Sequence, residues 1–359
     1  MKMIEFDIII LFLITFIATV FFTYYTRKLL IDANIGDNPI VSEHRHKSGT
    51  PTMGGIALLF SMLLIASIYF ENFYILVTSL IFVTAGIVGL LDDLLGLKVK
   101  EMQKLIKNIT NKPIAIGQLV LSPGEEARAA TEKAKSEVED LIGENKLKVV
   151  AEVPIKHEIS ESKKILAQVV IGVFLVLTGA VTTLGGFTLG LLAIPIVIIG
   201  IVGALNAINL IDGMDGLASG IIFIASLSCG IFAYINGNFD AILPFAILSA
   251  LTLGFLVFNK FPALIFMGDT GSFALGAGYA TAVLITDMPY FGVLALAVPI
   301  LSAIISLMHR AKIIRLATEP LHHTLHHNGL SEQKIVFSYW LFTALACVVG
   351  ILIDYFVFL

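Results

Sequence analysis

Long apolar runs are the feature that most restricts how this chain can fold. Ten runs contain almost only Ile, Leu, Val, Phe, Ala and Gly, and they approach the roughly 20 residues that an α-helix needs to cross a bilayer. The 359-residue chain is 57% hydrophobic and only 14% charged, which leaves too little polar surface for a water-soluble globule. We therefore predict an all-α polytopic membrane protein with about ten transmembrane helices.

The predicted spans divide the chain into three parts. Residues 1–97 hold transmembrane helices 1–3, residues 98–164 form a polar insert, and residues 165–359 hold transmembrane helices 4–10. The first run lacks the basic start of a signal peptide beyond Lys2, so it is predicted to be a retained span. The ten spans are 8–25, 54–70, 73–91, 165–181, 187–205, 217–235, 241–258, 272–286, 290–308 and 335–359.

Basic residues concentrate in alternate connections between the spans. These connections carry 22 of the 23 lysine and arginine residues. Because cytoplasmic connections of membrane proteins are enriched in Lys and Arg, their side is predicted to be cytoplasmic, with both termini outside. We therefore expect a multi-pass protein of the cell membrane with its active site on the cytoplasmic face. The basic connections are 26–53, 98–164, 206–216, 259–271 and 309–334.

The polar segment 98–164 is predicted to be a small α/β cytoplasmic insert. Residues 113–121 and 148–153 are expected to form strands. Between them, residues 122–125 match a capping box with Pro at the first helical position, apolar residues then recur at helical spacing, and Gly143 is a stop signal. The pattern predicts a β-α-β-like module, with a partly ordered linker containing one helix as the alternative.

Two adjacent carboxylates, Asp92 and Asp93, end the third predicted span. Charges inside or at the edge of a span are costly, so they commonly mark function. The simpler interpretation is that the pair only ends the helix at the water interface. Four further polar clusters on the same predicted side favour the functional interpretation.

The first two clusters have both a functional and a structural interpretation. Residues 44–55 combine basic groups, hydroxyls and Gly, which suit phosphate oxygens, although basic residues beside a span are also a topology signal. Residues 206–216 carry two Asn, two Asp and two Gly. A tight turn favours the same residue types, but it does not require Asp212 and Asp215.

The other two clusters add a carboxylate and a group of histidines. In residues 259–272, Asp269 stands between small residues, where a carboxylate can bind Mg²⁺, and Phe266 can either stack on a planar base or be buried. Residues 319–329 hold four of the eight histidines. Zinc binding is a competing interpretation of these histidines, although no cysteine lies nearby.

Together, these clusters predict an anionic, phosphate-bearing substrate held through a divalent metal ion at the membrane surface. Two negatively charged reactants repel each other, and a metal ion between them offsets the developing charge. Cys229 and Cys347 lie far apart in apolar runs and show neither metal-ligand nor disulfide spacing. The net charge of −4 gives no sign of a nucleic-acid partner, and none is expected.

Five motifs in this order on ten spans resemble the polyprenyl-phosphate N-acetylhexosamine-1-phosphate transferase family, also called the glycosyltransferase 4 family. The similarity is greatest to its muramoyl-pentapeptide branch. The resemblance implies Mg²⁺-dependent transfer of a sugar 1-phosphate from a UDP-amino sugar to a polyprenyl phosphate, with release of UMP. The product would be a lipid-linked diphosphate sugar for cell-wall or glycan assembly, and relatives suggest a homodimer. The matching stretches are 47–55, 91–93, 206–218, 259–272, and 320–323 with 329–332.

The resemblance also implies roles for individual residues. Asp92, Asp93 and Asp269 match catalytic positions, the pair near the lipid phosphate as base or metal contact and Asp269 as the Mg²⁺ ligand. Lys163 is an alternative match for the basic position assigned to Lys164. The matches to substrate-binding positions are Lys47, Thr52, Lys164, Asn209, Asp212, Asp215, Asn259, Phe266, His322 and His323.

Two departures from the family pattern leave the donor sugar open. Thr324 stands where muramoyl-pentapeptide enzymes carry a third consecutive histidine, and neither branch usually has the insert at 98–164. A UDP-N-acetylglucosamine transferase is therefore the alternative enzyme. An ion-coupled transporter is the alternative outside catalysis, but it would need polar groups near the bilayer midplane. A membrane scaffold or receptor that uses the insert would leave the other clusters unexplained.

Overall fold

A computed structural model describes residues 2–36, 49–97, 99–116, 119–124, 126–128, 132–156 and 159–357. The chain divides into two compact units. The larger one contains Met1–Asp93 and Ser160–Leu359, and the smaller one contains Leu94–Ile159.

Helices make up most of the described chain, and all but α4 lie wholly or mainly in the larger unit. They are α1 (Lys2–Asp32), α2 (Gly55–Ile68), α3 (Phe73–Gly96), α4 (Glu132–Gly143), α5 (Glu161–Leu177), α6 (Ala193–Ile211), α7 (Leu217–Ile235), α8 (Phe239–Asn259), α9 (Gly268–Ile285), α10 (Pro289–Ala295), α11 (Ala297–Arg310), α12 (Leu321–His327) and α13 (Glu332–Val357).

The prediction of an all-helical polytopic membrane protein is confirmed. Each of the ten apolar runs overlaps a helix or, at residues 290–308, the pair α10 and α11, although the run 187–205 begins before the start of α6 at Ala193. Six described helices are long and apolar enough to cross a membrane, and α10 with α11, bent by 70°, makes a seventh if it is one span. The count of ten spans is not confirmed, because α2, α5 and α9 are not among the helices that are long and apolar enough.

Helix α9 is enclosed by other helices of the larger unit. Every residue from Thr270 to Ile285 is buried. The helix packs against α2, α6 and α8, so its sides contact other helices. A Cβ on Gly276 would lie 2.9 Å from the Ala204 carbonyl oxygen, so the small residue lets α6 approach closely.

The smaller unit contains an antiparallel sheet with helix α4. Its central strand β1 pairs with β4 on one side and with β5 on the other. Two further strands, β2 and β3, form a separate hairpin. The strands are β1 (Val99–Asn108), β2 (Ile114–Ile116), β3 (Leu119–Leu121), β4 (Glu126–Arg128) and β5 (Leu147–Lys156), and a short hairpin in the larger unit adds β6 (Thr183–Leu184) and β7 (Phe187–Thr188).

The structure corrects the predicted start of the helix in the insert. Helix α4 begins at Glu132 and not at the capping box in residues 122–125. Gly124 adopts φ +80°, which is incompatible with a right-handed first turn, and its N–H group bonds to the Asn108 carbonyl. The end of the helix at Gly143 is confirmed.

The predicted strand pattern of the insert was partly wrong. The strand expected at 113–121 is two short strands, β2 and β3, paired with each other. The strand expected at 148–153 is confirmed within β5. The prediction omitted β1, which pairs antiparallel with β5 and therefore replaces the expected β-α-β arrangement.

Candidate active site

Three charged side chains from helices remote in sequence meet at one point. Asp92 lies near the end of α3, Lys164 in the first turn of α5 and Asp269 in the first turn of α9. The Lys164 ammonium forms ion pairs with Asp92 Oδ2 and, at 3.2 Å, with Asp269 Oδ2. The Asp92 and Asp269 side chains are also within hydrogen-bond reach of each other. We call Asp92, Lys164 and Asp269 the charged cluster.

Asn209, in the last turn of α6, fixes the orientation of the Asp269 carboxylate. Its Nδ2 donates to Asp269 Oδ1 at 2.8 Å and to Ser272 Oγ at 2.9 Å. Lys164 holds the other oxygen of the same carboxylate. Asp269 is therefore held in one orientation by two helices other than its own.

Asp93 lies beside the cluster but faces the backbone of α9. Its carboxylate accepts hydrogen bonds from the N–H groups of Asp269 at 3.0 Å and Thr270 at 2.9 Å, and from the Thr270 hydroxyl at 2.6 Å. The first N–H groups of a helix have no partner within that helix. Asp93 therefore caps α9 from another helix and holds its first turn in place.

Glycines allow α2 and α3 to approach the start of α9. A Cβ on Gly89 would lie 2.1 Å from the Asp269 carbonyl oxygen, and a Cβ on Gly55 would lie 2.1 Å from the Gly271 nitrogen. Any side chain at either position would push the first turn of α9 away. These glycines are thus a condition for the contact between Asp93 and Asp269.

Two members of the charged cluster, Asp269 and Lys164, have shifted pKa values. Burial, together with the hydrogen bond to Asp92, raises the pKa of Asp269 to about 7, although Lys164 and Asn209 act in the opposite direction. Burial alone would lower the pKa of Lys164, but the charge of Asp269 and the contact with Asp92 raise it above its usual value. When both carboxylates are ionised, they outnumber the single ammonium, and the excess negative charge suits a further cation.

The charged cluster fits Mg²⁺ better than it fits a fully protein-ligated metal. The described part of the chain contains no group of three or more His, Cys, Asp or Glu side chains placed to hold a metal ion. Asp92 and Asp269 nevertheless present adjacent carboxylates to the same point. Mg²⁺ is commonly held by one or two carboxylates, with water and substrate phosphates completing its shell, whereas structural zinc needs four protein ligands.

The paired histidines pack against the turn that follows α6. A Cβ on Gly213 would lie 2.8 Å from His322 Nε2 and 3.0 Å from His323 Nε2. His322 is fully buried, and His323 is half-buried. The turn begins at Asp212, whose N–H group bonds to the Asn209 carbonyl, so the histidines lie close in the fold to the helix end that contacts Asp269.

Asp215 and Asn259 make framework contacts. Asp215 Oδ2 accepts from the Ala263 N–H group at 2.8 Å, and the Asp215 N–H group donates to Glu332 Oε1 at 2.7 Å. Asn259 donates to the Ile265 carbonyl at 3.0 Å and accepts from Ser219. These bonds hold the segment 260–267 against α7 and the start of α13.

Thr52 and Phe266 are brought together by backbone pairing. The Phe266 N–H group donates to the Pro51 carbonyl at 2.8 Å, and its carbonyl accepts from the Gly54 N–H group at 2.7 Å. Both side chains are half-buried. Lys47, which belongs to the same motif as Thr52, lies outside the described residues.

Two hydroxyls in the site were missed by sequence reasoning. Thr270 donates to Asp93, and Ser272 accepts from Asn209. Both belong to the stretch of small residues around Asp269, and neither was given a role of its own from the sequence. A hydroxyl in the first turn of a helix, close to an Asp, is the signal that could have identified them.

An apolar cavity of about 760 Å³ is lined by Ile165 and Asn209, which neighbour the charged cluster. Apolar residues of α5, α6, α9, α10 and α11 form most of its wall. Asn209 lines it and also bonds to Asp269, so a single side chain lies between the cavity and the cluster at that point. Arg310 and Glu319, paired at 2.7 Å, lie in the same wall. The cavity is large enough for a chain-like apolar ligand.

Two sequence patterns of known families match the chain. The pattern described as glycosyl transferase family 4 matches residues 148–287. The pattern described as phospho-N-acetylmuramoyl-pentapeptide-transferase signature 1 matches residues 47–59, the segment that contains Thr52 and Gly55.

Relatives are similar to the chain over nearly its whole length. A protein of Methanothermobacter thermautotrophicus, provisionally named a phospho-N-acetylmuramoyl-pentapeptide-transferase, is 61% identical over 96% of this chain and 97% of its own. The phospho-N-acetylmuramoyl-pentapeptide-transferase of Alkaliphilus metalliredigens is 32% identical over 97% of each chain. The enzyme of the same name from Halalkalibacterium halodurans is 30% identical over 93% of this chain and 92% of its own.

Proposed function

Because the chain belongs to the phospho-N-acetylmuramoyl-pentapeptide-transferase family of membrane phosphotransferases, we propose that it performs Mg²⁺-dependent transfer of a sugar 1-phosphate from a UDP-amino sugar to a polyprenyl phosphate and releases UMP. Membership makes it a polyprenyl-phosphate phosphosugar transferase. The observation that supports the finer proposal is the charged cluster beside an apolar cavity.

Asp92 and Asp269 are the proposed ligands of the metal ion. Their carboxylates already converge on one point, where the Lys164 ammonium lies. Mg²⁺ bound there would offset the negative charge of two phosphorylated reactants and of the leaving UMP. Asn209 keeps the Asp269 carboxylate oriented, and Lys164 is placed to contact a phosphate oxygen.

A separate general base is not required for this reaction. The attacking group is a phosphate, which is ionised near neutral pH without help. We therefore assign Asp92 to metal binding and to placement of the lipid phosphate. Asp93, whose carboxylate is engaged by the backbone of α9, is proposed to position Asp269.

The second group of residues is proposed to hold the nucleotide half of the donor. The hydrogen bonds of Asp215 and Asn259 to backbone groups support a role for these two residues in shaping the nucleotide site. Phe266 is a flat surface for a base, and Thr52 lies beside it. The remaining proposed contacts are Lys47, Asp212, His322 and His323.

The cavity is proposed to hold the apolar part of the polyprenyl phosphate. Its contact with Asn209 would place the lipid phosphate at the charged cluster. The concentration of Lys and Arg in alternate connections supports a cytoplasmic site at the cell membrane. A homodimer and the absence of a nucleic-acid partner remain predictions.

The position of the cluster favours an enzyme over an ion-coupled carrier. Lys164 and Asp269 lie in first turns of helices, and Asn209 lies in a last turn. Carriers place their polar groups near the bilayer midplane, commonly at broken helices. Charged groups gathered at helix ends suit a reaction at the membrane surface.

A donor panel tests the proposed function. Purified full-length protein receives Mg²⁺, a polyprenyl phosphate and, separately, UDP-muramoyl-pentapeptide, UDP-N-acetylglucosamine or UDP-N-acetylgalactosamine, and released UMP is measured. We expect turnover with a muramoyl-pentapeptide-like donor and loss of turnover in a folded Asp269→Asn variant. Full activity in excess chelator would contradict the metal assignment, and no UMP from any donor would contradict the proposed reaction.

A further inference from the structure

Two amide side chains, Gln168 and Asn206, join α5 and α6 one helical turn beyond the charged cluster. Asn206 Nδ2 donates to Gln168 Oε1 at 2.6 Å, and Gln168 Nε2 lies 3.4 Å from Asn206 Oδ1. Gln168 is only 1% exposed. A buried amide costs free energy unless it is hydrogen-bonded, and these two amides bond to each other.

The pair does not have the chemistry of a ligand site, although Asn206 lines the cavity. Asn206 Nδ2 also donates to the Val202 carbonyl at 2.7 Å, so both of its N–H groups are used within the protein. Its oxygen faces Gln168. What the pair provides is a directional bond between two helices.

The position of the pair connects it with Lys164. Residues four apart share a face of a helix, so Lys164, Gln168 and Gly172 form one stripe on α5. This stripe packs against α6, where a Cβ on Gly172 would lie 2.9 Å from the Ile198 Cα atom. Asn206, the partner of Gln168, lies three residues before Asn209.

Apolar packing alone would allow α5 to slide along α6, because it has no directional preference. A shift by one residue moves a helical side chain by about 1.5 Å along the axis. Lys164 would then leave hydrogen-bond distance of one or both carboxylates. Hydrogen bonds between helices and close contacts at small residues are the interactions that fix such a register in a membrane.

We propose that Gln168, bonded to Asn206, is a positioning residue that holds Lys164 in contact with Asp92 and Asp269. The inference rests on the proposed phosphotransfer function, since turnover is one of its readouts. Gln168 touches neither substrate nor metal in this assignment, and its effect passes through Lys164.

The first test compares Gln168→Met with wild-type full-length protein. Methionine keeps the length of the side chain but cannot form the amide bonds. We expect kcat to fall about 10- to 100-fold, as a misplacement of about 1 Å can cause, while KM for both substrates changes less than about twofold. Unchanged kcat in the folded variant would overturn the inference.

A double-variant cycle asks whether the effect passes through Lys164. In a Lys164→Met background, Gln168→Met should change the residual rate by less than about twofold, because the group it positions is gone. If the two losses multiply, Gln168 acts independently and the inference fails. Asn206→Leu removes the same bond from α6 and repeats the test should Gln168→Met not fold.

Leu175→Ala is the matched control for stability. Leu175 is fully buried on the same helix and belongs to an apolar cluster that includes residues of α6. It lies far along α5 from Lys164. Its truncation should lower the melting temperature without changing kcat of the folded protein. A similar loss of kcat in this variant would mean that Gln168 contributes only to packing, and it would overturn the inference.

A labelling measurement separates this inference from the proposed function. Metal-free wild-type and Gln168→Met proteins are treated with acetic anhydride, and acetylation of Lys164 is followed by mass spectrometry. We expect several-fold faster acetylation in the variant, because Lys164 is no longer held between carboxylates. Equal rates would overturn the inference. If no donor gives UMP, the proposed function fails, while the labelling still decides the role of Gln168.

Discussion

The Asp93 carboxylate caps helix α9 at Thr270, although the two residues lie far apart in the chain. Asp93 Oδ2 accepts from the Thr270 N–H group at 2.9 Å and from its hydroxyl at 2.6 Å. Its neighbour Asp92 instead forms an ion pair with Lys164. Two adjacent aspartates therefore have different tasks, one in holding α9 and one in the charged cluster.

This difference predicts that two similar substitutions affect different properties, Asp93→Asn the stability and Asp92→Asn the turnover. Asp93→Asn replaces one acceptor oxygen by an amide nitrogen and removes a charge that is favourable at a helix N-terminus. We expect it to lower the free energy of unfolding by about 1 to 3 kcal/mol, seen as a lower melting temperature in detergent.

Asp92→Asn should leave the melting temperature close to wild type and lower kcat by about 100-fold or more. It relieves the contact between two carboxylates while removing a proposed metal ligand. Equal destabilisation by both substitutions would contradict the division of tasks between Asp92 and Asp93.

Replacing Lys164 by Met should strengthen the binding of Mg²⁺ while lowering kcat. The ammonium lies between the carboxylates that are proposed to hold the metal, so it repels a divalent cation. Unit charges 4 Å apart near a protein surface interact by about 4 kcal/mol, so we expect at least about tenfold tighter binding in calorimetry without substrate. Weaker Mg²⁺ binding would place the metal elsewhere.

The sequence predicted part of how the site is assembled. It placed Asp92 and Asp269 at helix ends on the same side, and in the structure both side chains contact Lys164, a contact that the sequence did not predict. The length and apolar composition of the runs predicted where most of the helices lie. They did not specify α9 as an enclosed helix, because a run flanked by helices and one flanked by lipid look alike in a single sequence.

Other features depend on contacts that a sequence does not display. The sequence does not reveal whether Asp92 or Asp93 faces α9. Neighbouring residues on a helix point about 100° apart, so the direction from which α9 approaches determines which of the two contacts it. In the insert, the capping-box pattern was overruled by the turn at Gly124, whose N–H group bonds to Asn108. The hydrogen bond of this turn to the end of β1 therefore outweighed the local signal for a helix start.

Gly89→Ala adds only one methyl group, but it should disrupt the site. The new Cβ would lie 2.1 Å from the Asp269 carbonyl oxygen, so α9 must move. Overpacking of this kind typically costs about 1 to 3 kcal/mol, and displacement of Asp269 should also reduce kcat. Gly96→Ala is the matched control on α3, because no described atom lies within 4 Å of its Cβ. Because Ala has a higher helix propensity than Gly, Gly96→Ala should not lower stability, and comparable losses in both variants would contradict the steric explanation.

Filling the cavity should weaken binding of the lipid alone. Gly203 lines the cavity on α6, and a Cβ built there meets no described atom within 4 Å, so Gly203→Leu should fold. We expect KM for the polyprenyl phosphate to rise about tenfold, with KM for the UDP-sugar unchanged, in steady-state kinetics with each substrate varied. Gly143→Leu, in the smaller unit and equally unobstructed, serves as the control. A rise in KM for the UDP-sugar would move the lipid out of this cavity.

Removing residues 99–156 should preserve measurable release of UMP. Every member of the charged cluster, together with Asn209, lies outside the deleted segment. Val99 pairs with Lys156 across adjacent antiparallel strands, and such strands lie about 5 Å apart, so a short Gly-Ser linker can join the ends that remain. We expect kcat within about tenfold of wild type if the smaller unit has a regulatory or partner-binding role, since an insert that leaves the reacting groups in place affects turnover only indirectly. Complete loss of turnover in a deletion variant that keeps the wild-type melting temperature would mean that this segment helps to build the site.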